Sequence, residues 1–143
     1  MNYMGFDEFG LINFVPFTKV SDFTDYLKEG KLKGKHCKKC NAVYFPPRAD
    51  CVKCFAPESE MEWLEFSGRG KLLTFTTIHA APTGFETKVP YTIGVVDLEE
   101  GGRLLAWIEE PPEDEAKLEL GIDVRIEPKV IDDNRLIYVI KIN

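Results

Sequence analysis

Apolar residues in this chain gather in short, separated runs, and their spacing changes from helical to alternating partway along. Phe23, Tyr26 and Leu27 recur at intervals of three and one, which places them on one face of a short helix over Asp22 to Glu29. Ser21 is positioned to cap that helix through its hydroxyl, Asp22 and Asp25 suit the positive end of the dipole, and Gly30 can close it in the left-handed conformation. Beyond the helix, Lys31 to Lys35 reads as a basic connector. Cys37 to Cys54 is rich in Pro, Lys and Cys and has no apolar period long enough to make a core.

From Met61 onward the pattern becomes that of short strands. Leu72 to His79 is rich in Thr, Leu and Phe, while Tyr91 to Leu98 and Arg103 to Glu109 flank Glu99-Glu100-Gly101-Gly102, a hairpin signal. Asp123 to Val130 alternates Val124, Ile126 and Val130 with Arg125, Glu127 and Lys129. Leu136 to Ile142 is a last strand, entered through Asp132-Asp133-Asn134. Gly68-Arg69-Gly70 is a strand-entry turn, and the acidic stretch Glu109 to Glu115 is a solvated loop. Five short antiparallel strands are too few for an immunoglobulin-like sandwich and suit a small Greek-key barrel of the oligonucleotide/oligosaccharide-binding (OB) type, although an SH3-like barrel has a similar strand count. The predicted fold is mainly β: an N-terminal segment with a short helix over 1–34, a zinc ribbon over 35–60 and a five-stranded OB-fold barrel over 61–143.

The chemistry is concentrated in the middle segment. Cys37-Lys38-Lys39-Cys40 and Cys51-Val52-Lys53-Cys54 form two C-x-x-C pairs with ten residues between them, and they use all 4 cysteines of the chain. Two intervening residues let both sulfurs of a pair face one point, so Cys37, Cys40, Cys51 and Cys54 can surround a tetrahedral ion. Four protein ligands leave no open position, which points to structural zinc, with iron as the alternative metal. No βαβ pattern surrounds either pair to suggest thioredoxin-like redox chemistry. His36 adjoins the first pair as a substitute ligand. Glycine often follows such a pair, but here Asn41 and Phe55 do: Asn41 tolerates positive φ, whereas Phe55 predicts a different backbone in the second turn.

Charge narrows the partners. The 143 residues hold 18 basic and 24 acidic side chains, a net charge of −6, which opposes broad attraction to nucleic acid or anionic membranes. Residues 1–60 carry 9 basic and 8 acidic groups, so the positive charge collects around the cysteines. Lys35, Lys38, Lys39 and Lys53 can offset the negative charge of a tetrathiolate site, and an anionic partner can also meet them there. Trp63, Phe66, Phe75, Tyr91, Trp107 and Tyr138 are read first as core or partner contacts, with base stacking as the nucleic-acid alternative. No apolar run approaches the roughly 18 residues that span a bilayer, and the N-terminus lacks the basic start of a secretory signal, so the expected location is the cytoplasm. His36 and His79 are the only histidines, with His79 expected partly buried, and metal-bound cysteines leave no free thiol nucleophile; no catalytic residue is assigned.

The order of motifs is itself informative. Tyr26-Leu27-Lys28-Glu29-Gly30, Lys33-Gly34-Lys35-His36-Cys37-Lys38-Lys39-Cys40, Tyr44-Phe45-Pro46-Pro47-Arg48-Ala49-Asp50-Cys51, Ser67-Gly68-Arg69-Gly70-Lys71 and Pro90-Tyr91 together resemble the domain-of-unknown-function-thirty-five family. The resemblance covers nearly all of residues 20–143 and implies a helical segment, a rubredoxin-like zinc ribbon and an OB fold associated with acyl-CoA enzymes. It further implies a non-catalytic scaffold that bridges acetoacetyl-CoA thiolase and HMG-CoA synthase in the mevalonate route to isoprenoids, with CoA or an acyl-CoA as a further ligand. The remaining alternatives are a nucleic-acid-binding module and a stand-alone acyl-CoA-binding protein. In the scaffold reading the face of Phe23, Tyr26 and Leu27 is a candidate docking surface. Lys31, Lys33, Lys35, Lys38 and Arg48 are candidate contacts for CoA phosphates or partner acids, with Pro46 and Pro47 stiffening the presentation of Arg48.

Overall fold

The computed structural model describes residues 6, 8–11, 18–131 and 134–142. Helix α1 spans Asp22–Lys28, one residue shorter than the expected span. Ser21 already has helical backbone angles, φ −57° and ψ −26°, and its side chain makes no capping bond. Backbone bonds from Phe23 N to Val20 O and from Thr24 N to Ser21 O open the helix instead. Its other end matches expectation: Gly30 has φ 78°, and Gly30 N and Lys31 N donate to Leu27 O and Tyr26 O, closing a Schellman turn.

The expected basic connector is a strand. β1 (Leu32–Cys37) is the centre of a three-stranded antiparallel sheet, between β2 (Val43–Tyr44) and β3 (Met61–Phe66). β1 escapes recognition because its polar residues do not mark a solvent face: Gly34 and Lys35 are both buried. A Cβ on Gly34 would lie 2.2 Å from the carbonyl oxygen of Tyr44, so only glycine lets the two strands approach so closely.

Next come β4 (Arg69–Ile78), β5 (Tyr91–Leu98), β6 (Arg103–Ile108), β7 (Asp123–Ile131) and β8 (Arg135–Ile142). They close into a barrel in the order β4-β5-β6-β8-β7, the OB arrangement. The one parallel pairing between barrel strands, of β6 with β8 at Trp107–Val139 and Ile108–Ile140, completes the ring. Strict alternation of buried and half-exposed residues along β5 places Thr92, Gly94, Val96 and Leu98 inside. The hairpin between β5 and β6 turns through Gly101 and Gly102, both at positive φ, with Leu98 N donating to Gly102 O. Gly68, at φ 87°, introduces β4 as a strand-entry glycine should. The expected Asp132-Asp133 turn lies outside the described residues. After β6, Glu109 contacts Lys129 and lies 3.8 Å from Lys141, and Glu115–Lys117 adds a short 3-10 turn to the acidic loop.

One apolar core joins helix, ribbon base and barrel. Phe23 and Leu27, each 2% exposed, belong to the same buried cluster as Leu32, Phe45, Phe66, Leu72, Val96 and Ile140. Phe45 is the junction, with its ring centroid 5.8 Å from Phe23, 5.2 Å from Phe66 and 5.4 Å from Tyr138. The helix face read as a docking surface is therefore packed against the protein's own interior, since a seven-residue helix draws its stability from tertiary packing of its apolar face. No helix among the described residues is long and apolar enough to cross a membrane.

Candidate metal centre

The two C-x-x-C turns fold by the same local rule. Cys37 N donates to Ala42 O at 2.8 Å, and Cys51 N donates to Ala56 O at 3.1 Å, so each turn closes five residues after its first cysteine. The residue after each second cysteine is left-handed: Asn41 at φ 66° and, contrary to the expected difference between the turns, Phe55 at φ 61°. The structure tolerates the cost of a phenylalanine there because the turn geometry is imposed by the cysteines around it. Cys37 and Cys51 are buried and Cys40 and Cys54 half-buried, in a small cluster with Ala56 and Met61 that is separate from the main core.

All four sulfurs lie within 4.8 Å of one another. Cys37 Sγ is 3.6 Å from Cys54 Sγ, and Cys40 Sγ is 3.5 Å from Cys51 Sγ, with all four thiols free. Thiolates bound at about 2.3 Å around tetrahedral zinc stand about 3.8 Å apart, so the four sulfurs fit one such ion with little adjustment, whereas a disulfide needs about 2.05 Å. The environment favours ionisation of one sulfur first. The Tyr44 hydroxyl, 3.4 Å from Cys51 Sγ, and the Cys54 N–H, 3.5 Å away, hold the Cys51 thiol down to about 6. Burial pushes Cys54 up to about 12, and the hydrogen bond to Cys51 raises Tyr44. A cation supplies the charge that such a group of thiols lacks, releasing their remaining protons.

His36 stands outside this set: its Nδ1 lies 2.7 Å from Glu62 Oε1 and its Nε2 lies 3.1 Å from Asn41 Oδ1. It holds the outer edge of the first turn. The lysines separate into two groups. Lys35, 7% exposed, has its Nζ 4.2 Å from the Trp63 ring centroid, and burial lowers its pKa. Lys33 sits 4.3 Å over Tyr26, and Lys31 pairs with Glu29 at 3.5 Å. Lys38, Lys39, Arg48 and Lys53 are exposed. Lys33 and Lys35 thus lie against rings, Lys35 within the buried part of the ribbon sheet. Tyr44 escapes a reading for site chemistry because it is not a metal-ligand type, and Trp63, read as a core or partner contact, is a partner of Lys35. Tyr44 is detectable only as one of two aromatic residues, with Phe45, between the two cysteine pairs. His79 is exposed just beyond β4, which corrects its expected partial burial.

Two family descriptions match in chain order: "ChsH2, rubredoxin-like zinc ribbon domain" over residues 24–60 and "ChsH2, C-terminal OB-fold domain" over residues 63–129. A DUF35 domain-containing scaffold protein of Methanocaldococcus jannaschii is 44% identical over 84 residues, 58% of this chain and 59% of that relative. The chain therefore matches less than two thirds of that relative's length. A DUF35 domain-containing scaffold protein of Pyrococcus furiosus is 32% identical over 123 residues, 84% of this chain and 88% of the relative. The benzoylsuccinyl-CoA thiolase subunit BbsA of Thauera aromatica is 37% identical over 95 residues, 63% of each chain. Among solved structures, the Ltp2-ChsH2(DUF35) aldolase shares the fold at a TM-score of 0.67 with 23% identity, covering 82% of this chain and 88% of that one.

Proposed function

This chain belongs to the DUF35 family of paired zinc-ribbon and OB-fold proteins, and from that premise we propose that it is a non-catalytic accessory subunit of an acyl-CoA enzyme assembly. The observation that carries the reading is the kind of relative that shares its sequence: two proteins named as scaffolds and one named as a subunit of a thiolase acting on an acyl-CoA. In the specific form of the proposal, the chain bridges acetoacetyl-CoA thiolase and HMG-CoA synthase in the mevalonate route, in the cytoplasm. Its residues then serve position rather than bond making. Cys37, Cys40, Cys51 and Cys54 hold one structural zinc that fixes the ribbon, and the Phe23–Phe45–Phe66–Tyr138 cluster fixes the ribbon to the barrel.

A bridge of this kind acts by local concentration. Thiolase condensation is drained when the next enzyme takes up the product before it diffuses away, and a rigid connector shortens that search without lowering either chemical barrier. The test is reconstitution from purified parts: this chain with the acetoacetyl-CoA thiolase and HMG-CoA synthase of the same genome, followed by sedimentation. The expected result is a complex of all three that dissociates when this chain is withheld. Separate sedimentation of the three proteins at micromolar concentration rejects the bridge, and turnover of acetoacetyl-CoA by the isolated chain rejects its non-catalytic role.

A further inference from the structure

Phe55 combines two costs in one residue. It stands at φ 61°, a region that bulky side chains avoid, and it is 85% exposed, so folding returns almost no burial for its ring. Asn41, at the matching place in the first turn and at φ 66°, is a residue suited to that backbone, and its side chain is used against His36. Val52, in the same turn as Phe55, is 51% exposed. The convergence of the sulfurs brings the two turns together, with exposed Lys38 and Lys39 on the first and exposed Val52, Lys53 and Phe55 on the second. The acids closest in sequence are Asp50, exposed before the second turn, and Glu58 and Glu60, half-buried after it.

On the reading that this chain docks onto acyl-CoA enzymes, we infer that the apex of the second cysteine turn is an anchor, Phe55 entering an apolar recess on a partner protein rimmed by carboxylates. A ring held on a backbone that the cysteine cluster already fixes loses little freedom on binding, the property that makes aromatic residues dominant contacts at interfaces. Three lysines at the rim select acids on the partner and speed the encounter. Two features favour a protein over a nucleic acid: the other exposed apolar residue of the turn, Val52, is aliphatic and offers no stacking surface, and the chain carries a net charge of −6.

The experiment uses the full chain with purified acetoacetyl-CoA thiolase and HMG-CoA synthase, comparing wild type with Phe55→Gly and Phe55→Asn by titration calorimetry. Both replacements suit positive φ, so metal content is expected to stay at one ion per chain and Tm to hold or rise. The Kd for one enzyme is expected to weaken by about thirty-fold or more, and added salt to slow association. Unchanged affinity in both variants overturns the anchor and leaves the scaffold reading intact, whereas a wild-type chain that binds neither enzyme removes both. Where one variant loses its metal, the affinity of the other decides; loss in both overturns the inference, since the ring is then part of the fold. Self-association, or binding to an oligouridine probe, that Phe55→Asn abolishes also overturns it, because the occupant would then be a second copy or RNA.

Discussion

Lys35 on β1 pairs directly across the ribbon sheet with Trp63 on β3, and its ammonium lies 4.2 Å from the centroid of that ring. The contact gives a buried lysine a partner that is not an acid. Tyr26 meets the same indole edge-on at 5.2 Å, so the tryptophan connects α1 to the ribbon sheet as well. Trp63→Leu is expected to destabilise the protein by about 2–3 kcal/mol through lost packing and the stranded ammonium. A double-mutant cycle with Lys35→Met, followed by urea unfolding, should return a coupling of about 1 kcal/mol. Strict additivity would show that the contact contributes nothing.

Gly34 precedes Lys35, the residue paired with Tyr44 across β1 and β2, and a Cβ on Gly34 would meet the Tyr44 carbonyl oxygen at 2.2 Å and Phe66 Cε1 at 2.7 Å. Because one obstacle is backbone, Gly34→Ala is expected to cost about 3 kcal/mol, the upper end of overpacking penalties. Thermal unfolding of the metal-loaded chain measures it. A Tm within 2 °C of wild type, roughly the shift from about 0.5 kcal/mol, would mean that β2 moves aside freely.

Glu109 accepts from Lys129 and lies 3.8 Å from Lys141, and these contacts hold its carboxyl below the usual carboxylate range. A depressed folded-state pKa gives stability that is fully present above the unfolded value and lost as pH falls through the folded one. Glu109→Gln should therefore lower stability at pH 7 by less than about 1 kcal/mol, since the pair is partly screened. The difference from wild type should shrink as pH drops below the ordinary carboxylate pKa of about 4.3 and vanish once both states are protonated. Urea midpoints across pH 2–7 check the sign, and a difference that grows on acidification contradicts it.

Metal removal should act on one part of the chain. Binding of structural zinc is worth about 10–16 kcal/mol in zinc-finger peptides. A strong chelator, or Cys51→Ser, is expected to release about one zinc per chain and to open residues 38–56 to proteolysis, while the barrel strands stay protected. Hydrogen exchange read by mass spectrometry distinguishes the regions. Equal protection of residues 38–56 with and without metal would remove the structural role of the ion.

Much of this architecture is legible in residue order alone. The four cysteines carry their own spacing, and the barrel strands announce themselves by alternation, as where Val124 and Ile126 alternate with Arg125 and Glu127, and by turn residues such as Gly101 and Gly102. These signals are local: a knuckle needs only its own two cysteines, and a hairpin only its turn and flanking pattern. The strand Leu32–Cys37 gives no such signal, since a lysine and a glycine occupy two of its inward positions, and what makes them inward is Trp63 and Tyr44, distant in sequence.

The same division explains the helix and Phe55. The spacing of Phe23, Tyr26 and Leu27 determines an apolar face, but whether that face meets solvent, a partner or the protein's own interior depends on the rings of Phe45 and Tyr138 arriving beside it. At Phe55 the sequence determines an unusual residue after a cysteine pair, and only the folded turn decides that its backbone is left-handed and its ring outside. Local covalent and steric rules are written in neighbouring residues, whereas burial is a property of what the rest of the chain brings within contact distance, and no window along the sequence contains it.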